Sequence, residues 1–523
     1  MEITLTFRGG GFSLTPAGCR PALHACLAAV LLLNGCAALG PDFVKPEAAE
    51  PPEWSGIEGE VLESAPVDTL AWWKVFNDPV LDTLIETAYR QNLPLQVAGL
   101  RILEARAQLG IAVGAQYPQT QQLSGAAKTV EVSENSPNFN PALDDSFRDY
   151  RVGIDAAWEL DFWGRFRRGI EAAEANLSAT VADYDNALIS LTAEVARTYV
   201  SIRTLQERLT IALQNITLQQ ESLRIATVRY RNGATTELDV QQAKSNLANT
   251  QAQVPAIRRL LRREKNALSV LLGLPPSELA GLLGEPGTIP TAPRQVAIGI
   301  PAELLRRRPD VRSAEQVAAV QSALIGVAEA DLYPAFNLAG SIGFQTGDTG
   351  DSSAGDLFDA DSFTLAAGPG FRWNFLNYGR IKNAVRAQDA RYQQAIVNYQ
   401  DTVLRAYQEA EDAMVGFVQA GQEAGFRGEG AVAARRSTEI ANIQYREGAV
   451  DFQRVLDSER ELVQQQDRWT SSRGDIALNL IAMYKALGGG WEIREGQAFV
   501  SNKNRQQMME RTDWGDLLNN NPD

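Results

Sequence analysis

The chain is written twice. Shifted by 216 residues against itself, Ala98–Pro118 falls on Ala314–Pro334 without a gap. There Ala107-x-Leu109-Gly110-Ile111-Ala112 meets Ala323-x-Ile325-Gly326-Val327-Ala328, and Tyr117-Pro118 meets Tyr333-Pro334. At a shift of 215, Trp158 meets Trp373, Gly164-Arg165 meets Gly379-Arg380, and Glu194 meets Glu409. In the same phase Tyr230-Arg231-x-Gly233-Ala234 meets Tyr445-Arg446-x-Gly448-Ala449, and Leu272-Gly273 meets Leu487-Gly488. A period this long is not a stack of short solenoid units. It is a duplicated half-molecule, so both halves must suit one architecture. They are read as 71–283 and 301–490, joined over 284–300 by a connector rich in Pro and Gly and without periodicity.

Each half mixes two hydrophobic periods. From Leu177, apolar or small residues recur at 4,3 spacing through Val181, Tyr184, Leu188, Leu191, Val195, Thr198, Ile202, Leu205, Leu209, Ala212 and Ile216. That is a heptad seam, and it predicts a long helix packed in coiled-coil fashion. The second half keeps the register through Tyr392, Ile396, Tyr399, Val403, Ala406, Ala410, Ala413 and Phe417. No proline interrupts 165–230, a span of roughly 100 Å if helical at 1.5 Å per residue. Gly233 and Gly448 end the two long helices, and partner helices return over about 239–272 and 453–487.

The other period is two. Tyr150, Val152, Ile154, Ala156, Trp158 and Leu160 alternate with polar or small residues, as do Phe336, Leu338, Gly340, Ile342 and Phe344. The clearest strand sets Phe363, Leu365, Ala367, Pro369, Phe371, Trp373 and Phe375 against Thr364, Ala366, Gly368, Gly370, Arg372 and Asn374. A fourth strand near Leu123–Val130 is weakly patterned and rests largely on the repeat. The hairpins fall at about 117–162 and 333–376. One apolar, aromatic face opposite a polar one suits strands between lipid and a wet lumen, with Phe363, Leu365, Phe371 and Trp373 facing lipid. A soluble sandwich alternates in the same way. Four strands cannot close a barrel, and open edges cannot persist in lipid, so the membrane-spanning reading requires an oligomer.

The N-terminus carries the only histidine, His24, and all three cysteines, Cys19, Cys26 and Cys36. The apolar run Leu27–Leu33 behind Arg8 and Arg20 is too short to span a bilayer and suits a signal segment over 1–35. Its end, Leu33-Asn34-Gly35-Cys36, resembles a bacterial lipobox, which implies a lipidated Cys36 opening an extension over 36–70. Asn34 departs from the small residue usual there. Ala37 in place of Asp implies sorting to the outer membrane of a Gram-negative cell.

Removing that segment leaves no histidine, which excludes Ser-His-Asp and Cys-His catalysis; with Cys36 the last cysteine, a Cys/His zinc site and a disulfide framework go too. With 49 basic and 64 acidic side chains, a net −15, the chain is a poor ligand for nucleic acid. Beyond the N-terminus there is no run of 18 apolar residues, so no transmembrane helix is expected.

The whole resembles an outer-membrane efflux lipoprotein of the TolC/OprM type. Gly40-Pro41-Asp42-Phe43-Val44-Lys45-Pro46 resembles the family's opening segment, and Trp72-Trp73-Lys74-Val75-Phe76-Asn77-Asp78-Pro79-Val80-Leu81 its first helix. Ile300-Pro301-Ala302-Glu303-Leu304-Leu305-Arg306-Arg307-Arg308-Pro309-Asp310-Val311-Arg312, with Ala314-Glu315, resembles the signature opening its second half. The match covers roughly 36–490.

The resemblance implies a mainly α fold with a transmembrane β-barrel contribution. Duplicated helix–β-hairpin–helix halves form a homotrimer with a twelve-strand barrel and a long periplasmic α-helical barrel. The implied partners are outer-membrane lipid, a periplasmic adaptor and an inner-membrane pump of the resistance-nodulation-division class. No cofactor, metal or catalysis is implied. The implied gate lies at the helix tips, with Asp239 and Asp457 ringing the aperture, Tyr445 in a closing contact, and Arg454 where some members carry an acid.

Tyr230 reads as a packing residue, Arg306-Arg307-Arg308 as structural bracing, and the acidic stretch 348–361 as a solvated loop without EF-hand spacing. The polar tail is 491–523, and from Ser501 onward, where it is Asn- and Gln-rich, it reads as mobile. A periplasmic coiled-coil scaffold or adaptor without a pore is the structural alternative. A lipid-anchored hydrolase lacks the carboxylate pair or Ser-Lys centre it needs.

Overall fold

A computed structural model describes residues 38–48, 54, 61–63, 70–137, 139–141, 146–293, 295–298, 305–348 and 352–518. In chain order its elements are β1 (Leu62–Glu63), α1 (Pro79–Gln91), α2 (Leu93–Gly114), β2 (Thr120–Glu131), β3 (Ser146–Leu160), α3 (Arg165–Arg231), α4 (Glu237–Leu271) and α5 (Leu279–Leu283). There follow β4 (Val296–Ala297), α6 (Pro309–Ala330), β5 (Ala335–Gly347), β6 (Phe363–Arg372), α7 (Arg380–Arg446), α8 (Phe452–Ala486) and α9 (Asn502–Met509). The long helices α3 and α7 are both 67 residues, and their return helices α4 and α8 are both 35. No described helix is long and apolar enough to cross a membrane.

The chain divides into two compact units. One contains the described start of the chain to Phe43, 109–173 and 320–392, and is built on an antiparallel sheet ordered β2-β3-β5-β6. Register explains its two faces. Leu123, Ile154, Ile342 and Leu365 stand opposite one another across all four strands, as do Gly125, Val152, Phe344 and Phe363. One residue along, Gln122, Asp155, Ser341 and Ala366 form a row on the other face, because side chains alternate at every residue. On that polar face Ser124 Oγ donates to Asp155 at 3.0 Å and Gln345 Nε2 to Asp149 at 2.8 Å.

Gly153 and Gly343 pair directly. A Cβ on Gly343 would lie 2.4 Å from the Val152 carbonyl oxygen, so the backbones approach closely only because neither carries a side chain.

The duplication is visible in this unit's hydrogen bonds. Trp158 Nε1 donates to the Gln116 carbonyl and Trp373 Nε1 to the Leu332 carbonyl, each at 3.0 Å. Both indoles thus close the strand end of a hairpin onto the turn that precedes its first strand. Trp373 corrects the expectation that it is a strand residue: β6 ends at Arg372, because its partner β5 begins at Ala335.

At the start of the chain, Arg168, itself buried, donates to the carbonyls of Leu39 (2.9 Å) and Gly40 (3.2 Å) and to Asp42 (2.7 Å). Leu39 N–H donates to the Trp163 carbonyl at 3.0 Å. Cys36 and the signal segment lie outside the described residues.

The second unit contains 44–108, 174–319 and 393–523. Its main core gathers Trp72, Leu81, Leu84, Ile85, Ile102, Leu188, Val195, Ile202, Leu268 and Leu480, with Trp72 stacked on Tyr484 at 5.5 Å. The heptad seam faces inward: Leu188, Leu191, Val195, Thr198, Ile202, Leu205 and Ala212 are all buried. Arg308 is a brace, donating to the Ala486 carbonyl (2.6 Å), Asp310 (2.7 Å) and Glu409 (2.8 Å).

Within the connector, Val296–Ala297 pairs in parallel with Leu62–Glu63. One expectation is corrected in this unit: the tail from Ser501 is not loose. Val500, Met508 and Leu518 are buried with Leu103, and Arg494 makes a two-pronged ion pair with the fully buried Asp185, 3.0 Å on its longer arm.

Candidate gate at the helix tips

Each long helix stops in the same way. Gly233 (φ +71°) and Gly448 (φ +80°) lie in the left-handed region that favours glycine. Gly233 N–H donates to the Tyr230 carbonyl and Ala234 N–H to Arg229, while Gly448 and Ala449 donate to Tyr445 and Gln444. These bonds satisfy the carbonyls left over at a helix end and turn the chain into the return helix.

Within this turn the two halves touch. An apolar cluster of Ile225, Ala226, Val240, Ala243, Ala441, Phe452, Val455 and Leu456 draws on α3, α4, α7 and α8 together. Tyr445, 2% exposed, packs its ring 5.3 Å from that of Phe452. Its hydroxyl donates to Asp239 Oδ2 at 3.2 Å, and Thr235 also donates to that carboxylate. Burial, then the Asp239 charge, pushes the Tyr445 phenol up to about 12, so it remains a donor at physiological pH. Arg229 lies 4.8 Å over the Tyr445 ring and donates to its carbonyl at 2.7 Å.

Of the residues singled out from sequence, Asp239 and Tyr445 are therefore joined, between the glycine turns. Asp457 and Arg454 are not part of that contact. Both are exposed on α8; Asp457 accepts from Gln453 Nε2 at 2.8 Å, and Arg454 forms no ion pair among the described residues. Tyr230 departs from the packing role expected of it: at 43% exposed, it does not share the burial of its repeat partner Tyr445. Phe363, Leu365 and Phe371 lie exposed on the apolar face of the sheet. In the acidic loop, Asp356 accepts from Ser353 N–H (2.7 Å) as a helix cap, and Asp348 faces Arg148 at 3.8 Å.

Sequence reasoning missed one group. Glu459, 2% exposed, accepts from Ser222 of α3, from Asn246 of α4 (3.0 Å) and from Asn442 of α7. One α8 carboxyl thus ties in all the other tip helices through neutral donors. Burial raises its pKa. The available signal was a glutamate inside the apolar 4,3 spacing Phe452, Val455, Glu459, Leu462.

A long-helix body with repeated glycine-capped tips and a four-stranded sheet apolar on an exposed face defines a channel of outer-membrane type. The family model described as outer membrane efflux protein matches residues 84–274 and 300–489. Pyoverdine export outer membrane protein OpmQ of Pseudomonas putida is 30% identical over 475 residues, covering 90% of this chain and 98% of its own. Nodulation protein T of Rhizobium leguminosarum bv. trifolii is 28% identical over 465 residues, 88% and 96% of the two chains. The solved outer-membrane channel OprN superposes with a TM-score of 0.81 at 31% identity, covering 87% of this chain and 100% of that one. The chain belongs to the outer membrane efflux protein family. It is an outer-membrane efflux channel of the TolC/OprM type.

Proposed function

We propose that three copies of the chain close one duct, which passively conducts small molecules or drugs expelled by an inner-membrane pump and is gated at its helix tips. The sheet carries this reading. Its apolar row Leu123–Ile154–Ile342–Leu365 is exposed, and β2 and β6 each have a partner on one side only. About eight strands is the practical minimum for a barrel, and unpaired edges are untenable in lipid. Three sheets joined edge to edge give twelve strands.

The helices support the same assembly. On α7, Val397, Leu404, Val415, Phe426 and Ile440 are exposed at steps of 7, 11, 11 and 14, which sets them along one side of the helix, where a neighbouring copy would cover them. The sheet disfavours a poreless scaffold, which has no use for an exposed apolar face on strands.

At the tips, the Asp239–Tyr445 contact holds the first-half helices to the second-half helices in the closed form. Three copies of Asp457 near the aperture favour cations and repel one another, and Arg454 tempers that repulsion. A periplasmic adaptor and a pump of the resistance-nodulation-division class complete the system and supply its energy, so the duct itself catalyses nothing. Lipid on Cys36 anchors the chain, and the Arg168 clamp on Leu39, Gly40 and Asp42 ties that anchored end to the first turn of α3.

Planar-bilayer recording tests the reading. The purified protein should give stepwise conductance, and Asp239→Ala with Asp457→Ala should alter conductance or cation selectivity. A wild-type protein that inserts and does not conduct contradicts the duct; double-variant currents identical to wild type remove both aspartates from the gate.

A further inference from the structure

Above the tips, α3, α4 and α8 enclose a groove of about 590 Å³, within the size range of small-molecule sites. Its charge runs against the rest of the molecule. The chain carries a net −15, yet the groove is lined by Arg208, Arg460 and Arg468 against a single acid, Asp467. Arg208 is committed to that acid, donating through two nitrogens at 2.7 and 3.0 Å. Arg460 and Arg468 make no ion pair with any described residue. They stand eight residues apart on α8, roughly 12 Å along the axis, and leave two guanidinium groups facing one opening.

A second observation points to a ligand. Gln219 on α3 is 2% exposed and lines the same groove, and neither its amide nitrogen nor its amide oxygen has a hydrogen-bond partner. A buried amide left without partners is costly, and native interiors rarely retain one. A ligand reaching the floor of the groove would satisfy both atoms, while its charged end met the arginines.

We propose that this groove is a binding site for a small organic anion, a carboxylate or similar group attached to an apolar body with one polar atom. Arg460 and Arg468 hold the charge, Gln219 takes the polar atom, and Ala256, Ile257 and Leu260 contact the body. Planar guanidinium groups match carboxylate geometry in pairs of hydrogen bonds. The purpose assigned to it, a resting place for exported anions, rests on the duct reading; the binding itself does not. An acidic side chain of a protein partner offers the same carboxylate, and the test separates the two sources.

The test uses the purified mature protein in detergent and the intrinsic fluorescence of 2-naphthoate. Saturable binding is expected, weakened at least tenfold in Arg460→Gln/Arg468→Gln, with neutral 2-naphthamide binding at least tenfold more weakly than 2-naphthoate; 6-hydroxy-2-naphthoate, which adds the polar atom, should bind more tightly than 2-naphthoate, and Gln219→Leu should abolish that gain. The thermal unfolding midpoint of the arginine variant, whose substituted side chains are exposed, should match wild type and so report an intact fold. Binding that is absent from a conducting wild type, or equal in the arginine variant, overturns the anion site and leaves the duct standing. A glutamate-rich helical peptide that displaces naphthoate with higher affinity than naphthoate itself overturns the small-molecule assignment.

Discussion

The Tyr445 hydroxyl donates to the Asp239 carboxylate at 3.2 Å, joining an outgoing helix of the second repeat to the returning helix of the first. Tyr445→Phe keeps the ring that packs on Phe452 and deletes only the donor. A hydrogen bond to a charged group contributes roughly 1.5–3 kcal/mol, which is on the order of a ten- to hundredfold change in a closed–open equilibrium. Single-channel recording should show a higher open probability for the variant. Equal open probability would mean that the contact does not hold the gate.

Glu459 makes the tips pH-sensitive. Burial raises its folded-state pKa above the ordinary carboxylate value, so its contribution to stability is full below that ordinary value and lost as pH rises through the raised one. Glu459→Gln keeps the shape and cannot ionise. The variant should match wild type near the ordinary carboxylate pKa and show slower hydrogen exchange in α8 at neutral pH. A difference that does not change with pH rules out ionisation of Glu459 as the cause.

The two faces of the sheet should answer differently to one charge. Leu365→Arg places a guanidinium in the apolar row and should cost about 2–4 kcal/mol per site if it sits at the membrane midplane. Ala366→Arg, in the row of Gln122, Asp155 and Ser341, should be tolerated. Yield of assembled protein in the outer membrane reads both. Equal yields would place the apolar face away from lipid.

Asp185 is 0% exposed and depends on Arg494 for its counter-charge, with Arg312 farther off at 3.8 Å. Arg494→Ala should destabilise the packed tail by about 3 kcal/mol, because a buried charge left unpaired is strongly unfavourable. Thermal unfolding and proteolysis within 495–518 measure it, and an unchanged midpoint with an unchanged cleavage pattern would refute it.

What was legible in the sequence is what repeats at short range. The heptads of α3 and α7 and the alternation of β3 and β5 are local, and each is written in neighbouring residues. β2 was faint because its outward face holds only Leu123 with Gly125, Ala127 and Thr129, so that strand is defined by its ladder to β3. β6 ran too long because alternation continues through Trp373 and Phe375 after the partner strand has ended. The tail was misread since its anchor, Arg494 on Asp185, lies 309 residues away in the chain, and an Asn- and Gln-rich composition does not reveal a distant ion pair. At the tips, the resemblance supplied Asp239 and Tyr445, but Asp457 and Arg454 lie outside their contact. Glu459 stayed hidden because a single glutamate in a seam reads as an interruption until its neutral partners on α3 and α4 are seen.

Electron microscopy of the mature protein in lipid nanodiscs tests the trimeric duct most directly. The expected result is a three-fold particle whose twelve strands close one barrel, with β2 of each copy paired to β6 of the next. A monomer, or an oligomer in which the four-stranded sheets remain open or face away from the lipid, would contradict it.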